Sequence, residues 1–296
     1  MRRDDSCIRM TSILFIEQSL NGLQFGLMLF LLAAGLTIVF GVMDMINLAH
    51  GAFYMVGAFF TAWFVAATGH FLAGLLIAIV LTALFGMLVE ATLLRTLYAR
   101  DHLSQVLATF ALILILNDGV EMVFGTDLPL SAPAALAGPV QLPAGLVYPA
   151  WRLIIIAAGL AIALLLYLLV QKTRVGALVR AGASNREMSQ VMGVDIARLF
   201  TLVFGLGAAL CAVAGGLLGP LLAVQVGMGE NILILAFVVI VIGGIGSIRG
   251  ALIGSLLVGV VDTLAARCSN RACAKCCRRS GRVRQGRRWH RSRSTC

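Results

Sequence analysis

Charge is what this 296-residue sequence has least of: 12% of its residues are Asp, Glu, Lys or Arg, against roughly a quarter in an ordinary soluble domain. Lysine is nearly missing. Lys172 and Lys275 stand in QKT and AKC, so neither follows the glycine that a GxxxxGK[ST] phosphate loop requires, and ATP hydrolysis by that loop is excluded. There is no serine elbow and no HExxH. Cysteine is sparse before residue 267, with only Cys7 and Cys211, which excludes a disulfide framework there. The other five cysteines fall in residues 267–296, where Cys273 and Cys276 make one CxxC beside Cys277 with no second pair at zinc spacing. Proline is scarce and concentrated, five of the six lying between 126 and 150.

What fills the sequence is apolar. Sixty per cent of residues are hydrophobic and mean hydropathy is +0.98. A helix needs about 20 apolar residues to cross a bilayer, and runs of that length recur along the chain. They predict an all-α integral membrane protein of about eight transmembrane helices at 18–43, 47–67, 71–94, 103–125, 151–171, 199–224, 231–247 and 250–266. The first run is too long for the core of a cleavable signal and lacks a small-residue cleavage site, so it is expected to stay as an anchor. Met10 opens a natural second start, MTSILFIEQSL, making 1–9 an expected start-site extension. The expected organisation is an N-terminal segment 1–17, a transmembrane domain 18–266 and a tail 267–296.

The net charge of +10 belongs to the tail. Residues 267–296 hold eleven Lys or Arg and no acid, which leaves twelve bases against thirteen acids in 1–266. Such a basic run attracts polyanions, but no nucleic-acid partner is expected for the chain. Positive residues favour the cytoplasmic side of short loops. Arg95 and Arg100, then Lys172, Arg174, Arg180, Arg186 and Arg198, then Arg249 lie in alternate connections and predict those as cytoplasmic. Residues 126–150 have no Lys or Arg and read as an external loop of irregular backbone; with Arg2, Arg3, Arg9 and the tail left out, Arg152 is the lone base on that side. The eighth span would then deliver the tail to the outer face, against the charge bias. The Arg, Cys, Ser and Gly content of 267–296, without apolar periodicity, resembles translation in a wrong frame, and its composition predicts disorder.

Two glycine-rich stretches stand out. Gly243, Gly244, Gly246, Gly250 and Gly254, with Ser247, Ala251 and Ser255, give a small-residue ridge on which helices can pack closely; Gly22 and Gly26 repeat the pattern in the first span. AGGLLGP, with Gly215, Gly216, Gly219 and Pro220, and IGGIGS are expected points of kinking or local unwinding. Ionisable and polar groups within spans are candidates for a pathway or for helix rearrangement. Those here are Asn47, His50 and Gly51 in DMINLAHG, Glu90 near the end of span three, and Asp118 and Glu121 in span four. Placement at the membrane interface with Arg partners is the competing reading for Glu90 and Glu121, as for Asp44.

The longest polar stretch on the basic side, 172–198, contains Ser184–Asn185–Arg186–Glu187, a capping-box pattern before a short helix that would present Met188, Val191 and Met192. From the residues alone, that helix either lies on lipid or docks a soluble partner.

Three blocks, GLTIVFGVMDMINLAHGAFYMVGA, VRAGASNREMSQVMGVDIARLFTLVFGLGAALCAVAGGLLGP and AFVVIVIGGIGSIRGALIGSLLVG, resemble in order the permease subunits of bacterial high-affinity branched-chain amino-acid ABC importers, over about residues 12–264. The resemblance implies an inner-membrane, multi-pass transport subunit that is not itself an enzyme and binds no cofactor. ATP and Mg would be used by two partner ATP-binding subunits. A second homologous permease and a periplasmic or lipid-anchored solute-binding protein would complete the importer, and transport would follow alternating access. It further implies a coupling element at Arg180, Ala181, Ser184, Arg186, Glu187, Met192 and Gly193. Asn47, His50 and Gly51 fall in the family's NxAHG stretch. After Leu264 the sequence departs from the family, which continues through a further hydrophobic hairpin. Two readings stand beside the main one: a urea or short-amide permease of the same build, and an ATP-independent transporter with an ion site at His50, Asp118 or Glu121.

Overall fold

The computed structural model describes residues 2–266 apart from 46, 99, 134, 135, 137 and 143–145; the side chains of 2–15, 142, 146, 186 and 187, and all of 267–296, lie outside the described residues. The chain forms α1 (Arg2–Met43), α2 (His50–Thr68), α3 (Phe71–Thr92), a 3-10 turn (Leu94–Leu97), α4 (His102–Phe124), β1 (Asp127–Leu128), β2 (Pro139–Leu142) and β3 (Leu146–Pro149). It continues through α5 (Ala150–Lys172), α6 (Arg174–Ser184), α7 (Arg186–Val191), α8 (Ile196–Leu222), β4 (Val224–Gln225), α9 (Met228–Gly243) and α10 (Ile248–Ala266). α1 passes through residue 17 without a break. The expected tail lies outside the described residues.

Seven of the described helices are long and apolar enough to cross a membrane. Their burial divides them into two tiers. The apolar windows of α1 and α8 are each 83% buried, whereas those of α3, α4, α5 and α10 are between 22% and 28% buried. So α1 and α8, with α2, form the centre, and the other four turn one side outward. Apolar side chains on that outward side are at home in lipid, so burial of hydrophobic area cannot be what holds the bundle together; close packing must. Small residues make it: Gly57 lies so near Ala212 that a Cβ on it would fall 2.3 Å from the Ala212 Cα, and one on Gly215 would fall 2.2 Å from the Tyr54 carbonyl oxygen. Aromatic pairs fill what remains, with Phe53 edge-on to Phe204 at 5.4 Å and Tyr98 edge-on to Phe200 at 5.3 Å.

Three expectations are corrected. The seventh span, expected at 231–247, is α9, which starts at Met228 and stops at Gly243. Its 16 residues extend about 24 Å, short of a hydrocarbon core of about 30 Å. The cause is the backbone at each end: Gly227, Gly244 and Gly246 have φ of +82°, +87° and +82°, values at which only glycine is unstrained. Second, AGGLLGP does not unwind. α8 runs helical through Gly215, Gly216 and Gly219 and takes Pro220 into its last turn, where the glycines serve close approach instead. Third, 126–150 is partly ordered into strands: β1 pairs with β4, and β2 with β3 in a hairpin whose open end sets Pro139 opposite Pro149. Proline is tolerated at that position because the last pair of a ladder needs no N–H.

Connections sort to two ends. Met43 meets Tyr98, and Gly182 lies against Val42, Ile196 and Leu199, so 44–49, 93–101, 173–195 and 244–247 share one end, with all eight bases predicted as cytoplasmic. At the other end Tyr148 reaches Asn21, β1 joins β4 and Arg152 donates to Asn21.

Candidate functional site

His50 begins α2, and its ring enters the crossing of α1, α2 and α8 through a slot left by two glycines. A Cβ on Gly35 would fall 2.8 Å from Nε2, and one on Gly207 would fall 3.0 Å from Cε1. The residue is fully buried, and neither ring nitrogen has a hydrogen-bond partner among the described residues. Asn47, also fully buried, folds its Oδ1 back to accept from the Ala49 N–H at 3.1 Å, which shapes the entry into α2, while its Nδ2 finds no partner among the described residues. Gly51 faces Gly229 at the start of α9: a Cβ on Gly51 would lie 2.6 Å from the Gly229 carbonyl oxygen. The NLAHG segment is thus a joint at which α2 meets α1, α8 and α9.

Glu90 lies at the inner end of α3 and is fully buried. Tyr98 donates to its Oε1 and Thr201 to its Oε2, each at 2.5 Å. Arg95 donates to the Thr201 hydroxyl at 3.2 Å and stands 3.9 Å from the carboxylate. The carboxylate is therefore a tie between α3, the 3-10 turn and α8. The group is buried rather than solvent-accessible as the interface reading expects, and it has the Arg neighbour which that reading expects. Tyr98 and Thr201 were not legible as its partners, because one is eight residues away through a non-α turn and the other is 111 residues distant.

Asp118 and Glu121 are exposed on α4 near the opposite end, apart from His50 and Glu90. Asn117, between them and the core, donates to Glu230 at the start of α9, 2.8 Å away. No group of three or more His, Cys, Asp or Glu suited to a metal occurs among the described residues.

At the basic end α6 and α7 form a bent pair. Thr173 caps α6 by accepting from the Gly176 N–H, and Asn185 caps α7 by accepting from the Met188 N–H at 2.9 Å. The cap is one residue later than the expected Ser184, which instead closes α6; Asn185 has the extended backbone that a cap needs. The Glu187 side chain that would complete the box, and that of Arg186, lie outside the described residues. Met188, Val191 and Met192 are 62%, 82% and 78% exposed, and Gly193 follows with φ +83° and open space about it. Ala181 and Ser184 are exposed; the Arg180 guanidinium turns back to donate to the Val170 carbonyl at the end of α5. Gly182 sets the pair on the bundle, a Cβ there falling 3.1 Å from Leu199. Between the ends of α1 and α6 and the α9–α10 turn opens a cleft of about 930 Å³, bordered by Asp44, Ser184, Asn185 and Ser247.

Of the predicted packing glycines, Gly243 and Gly250 meet so closely that a Cβ on Gly250 would fall 1.7 Å from the Gly243 carbonyl oxygen, and one on Gly254 would fall 3.0 Å from that of Val239. Gly244 and Gly246 serve the turn instead. The second ridge meets its partner in α10, where a Cβ on Gly259 would fall 2.5 Å from the Gly26 Cα.

Comparison with known proteins adds to this geometry. A family model described as the permease component of the branched-chain amino acid transport system matches residues 18–272. The chain is 31% identical over 265 residues to the high-affinity branched-chain amino acid transport system permease protein BraD of Pseudomonas aeruginosa, covering 85% of this chain and 86% of that one. It is 31% identical over 271 residues to the corresponding protein LivH of Escherichia coli K12, covering 84% and 85%. A probable branched-chain amino acid transport permease protein of Methanocaldococcus jannaschii is 32% identical over 249 residues, covering 80% and 76%. No solved structure matches the chain.

Proposed function

This chain belongs to the family of permease components of branched-chain amino acid transport systems, and from that premise we propose that it carries branched-chain amino acids across the inner membrane as one subunit of an ATP-driven importer. Similarity running through most of both chains to two permeases of that named substrate class is the observation that supports the substrate reading. Two cytoplasmic ATP-binding subunits supply ATP and Mg chemistry, a second homologous permease completes the membrane core, and a periplasmic or lipid-anchored binding protein delivers solute. The basic end faces the cytoplasm.

The α6–α7 pair is the coupling element in this reading. An apolar tip of Met188, Val191 and Met192 exposed beyond the bundle suits insertion into a groove of a soluble partner, and methionine adapts to such grooves. Gly182 and the cleft beside it join the pair to the inner ends of α1 and α8, so displacement of the tip reaches the two most buried helices. There it meets His50. A buried imidazole without partners costs on the order of 1–3 kcal/mol, so an alternative packing of α1, α2 and α8 that gave it a partner would be favoured at this joint. That is a physical basis for two states of the helix crossing, which alternating access requires.

The test is reconstitution of the chain with a partner permease, two ATP-binding subunits and binding protein in proteoliposomes, comparing labelled leucine with labelled urea. ATP-dependent leucine uptake that is lost in a Met188→Glu, Met192→Glu variant, with the complex still assembled, is the expected result. Urea uptake alone would reassign the substrate, and uptake without ATP-binding subunits would refute the importer reading.

A further inference from the structure

A second pocket, of about 300 Å³, shares Gly246 and Ser247 of the α9–α10 turn with the Asp44 cleft and is otherwise lined by Tyr167, Val170, Gln171, Arg180, Ile248 and Arg249. Arg249 crosses the Tyr167 ring at 5.6 Å and donates to its hydroxyl at 3.3 Å. Arg180 enters from α6, anchored on the Val170 carbonyl. Neither guanidinium forms an ion pair among the described residues. The pocket also receives the start of α10, a 19-residue helix, where Ser247 Oγ accepts from the Gly250 N–H and the first-turn amides carry the positive end of the helix dipole. Two arginines, a helix N-terminus, a serine and a glutamine therefore border one cavity. Nothing in the coupling reading uses this cavity, and it turns Arg180 toward the bundle.

We propose that this pocket binds a phosphate-bearing anion, and that its natural source is the headgroup of an anionic phospholipid in the adjoining leaflet. The chemistry fits, since guanidinium pairs with phosphate oxygens through paired N–H donors. The place fits equally. The pocket sits at the inner ends of α5 and α10, whose flanks leave Leu164, Leu168, Ile253 and Leu257 exposed, so acyl chains can run along the same helices that hold the headgroup. Basic pockets between helices at the cytoplasmic surface are recognised sites for anionic headgroups. A lipid held there would tie α5, α6 and α10 together, and so bias the position of the coupling pair. The anion site itself holds whichever way the chain is oriented; only the identity of the leaflet rests on the proposed orientation.

The purified full-length chain would be titrated by native mass spectrometry with phosphatidylglycerol, phosphatidylcholine and inorganic phosphate. Phosphatidylglycerol should be retained in preference to phosphatidylcholine, with the preference falling about fivefold in Arg180→Gln or Arg249→Gln and roughly thirtyfold in the double variant. A photoactivatable phosphatidylglycerol on the unaltered protein supplies a readout independent of any variant's folding, and should label peptides containing 167–171 or 247–249. Equal retention of the two lipids, an unchanged double variant, or labelling confined to the opposite end would overturn the proposal. Inorganic phosphate displacing phosphatidylglycerol at submillimolar concentration would keep the anion site and refute the lipid source.

Discussion

Glu90 illustrates how one buried carboxylate can hold three elements. Two hydroxyls donate to its two oxygens, so replacing it with glutamine turns one acceptor into a donor and strands one hydroxyl, at a cost of about 1–3 kcal/mol. Tyr98→Phe removes a single donor and should cost about 1 kcal/mol. Because both changes act on the same bond, the double variant should be less destabilised than the sum, a coupling that thermal unfolding of the detergent-solubilised chain can read. Strict additivity would show that Tyr98 and Glu90 do not interact. Asp101 offers a second residue-scale test outside the spans. It caps α4, accepting from the Ser104 hydroxyl and N–H, and these hydrogen bonds, the side-chain one foremost, hold its carboxyl below the usual value. A depressed folded value means the stabilisation is fully present above the unfolded value of roughly 4 and is lost as pH falls through the folded one. The melting-temperature advantage of the parent over Asp101→Asn should therefore be constant near neutrality and shrink below about pH 4; an advantage that grew on acidification would contradict the cap.

For pairs of elements, the closeness of α9 and α10 sets the tolerance for side chains. A Cβ on Gly250 meets a backbone oxygen at 1.7 Å, which no rotamer change relieves, while one on Gly254 meets its nearest atom at 3.0 Å. Gly250→Ala must push the helices apart and should cost about 3 kcal/mol, the upper part of the overpacking range, whereas Gly254→Ala should cost about 1 kcal/mol. Gly244→Ala has open space but a positive φ, so its penalty is backbone strain of about 1–2 kcal/mol. Expression yield and melting temperature should rank Gly250→Ala as the most damaging of the three. If Gly254→Ala were worse, the crossing would lie elsewhere. The same comparison marks what a sequence can and cannot reveal about a helix pair. The four-residue spacing of Gly246, Gly250 and Gly254 reads as one packing face and IGGIGS as a point of unwinding, but spacing carries no φ and does not say which role Gly246 takes. Only the turn it occupies separates the two roles, and that turn is what shortens α9.

Across the whole molecule, seven of the eight spans were legible to within a few residues, because long uncharged runs have few alternatives in a bilayer. Central and peripheral helices were not, since hydropathy does not follow burial: central α8 is less apolar than peripheral α5, and what sets it at the centre is the small residues that let neighbours approach. The 172–198 segment was legible through its charge and its capping-box pattern, though the cap falls on Asn185 and not on Ser184; the Glu90 tie was hidden because its partners come from distant turns. Orientation is the property on which the coupling proposal and the leaflet of the anion site depend, and the charges that set it nearly balance. Eight bases lie at the α7 end, and Arg152 lies at the other together with Arg2, Arg3 and Arg9 at the start of α1, but α10 carries the chain to that other end before residue 267, and seven of the tail's bases fall within twenty residues of Ala266. The eight are spread over three connections, and early spans usually dominate insertion, so the body should prevail. In a background without the native cysteines, Gln225→Cys should react with an impermeant maleimide on intact spheroplasts, and Val191→Cys, at an 82% exposed position, only after permeabilisation. Removing 267–296 should leave that pattern unchanged. Mixed labelling of the full chain that becomes one-sided on removal would show the tail competing for the inner side, and one-sided labelling of Val191→Cys from outside would place the coupling pair beyond reach of any cytoplasmic ATP-binding subunit.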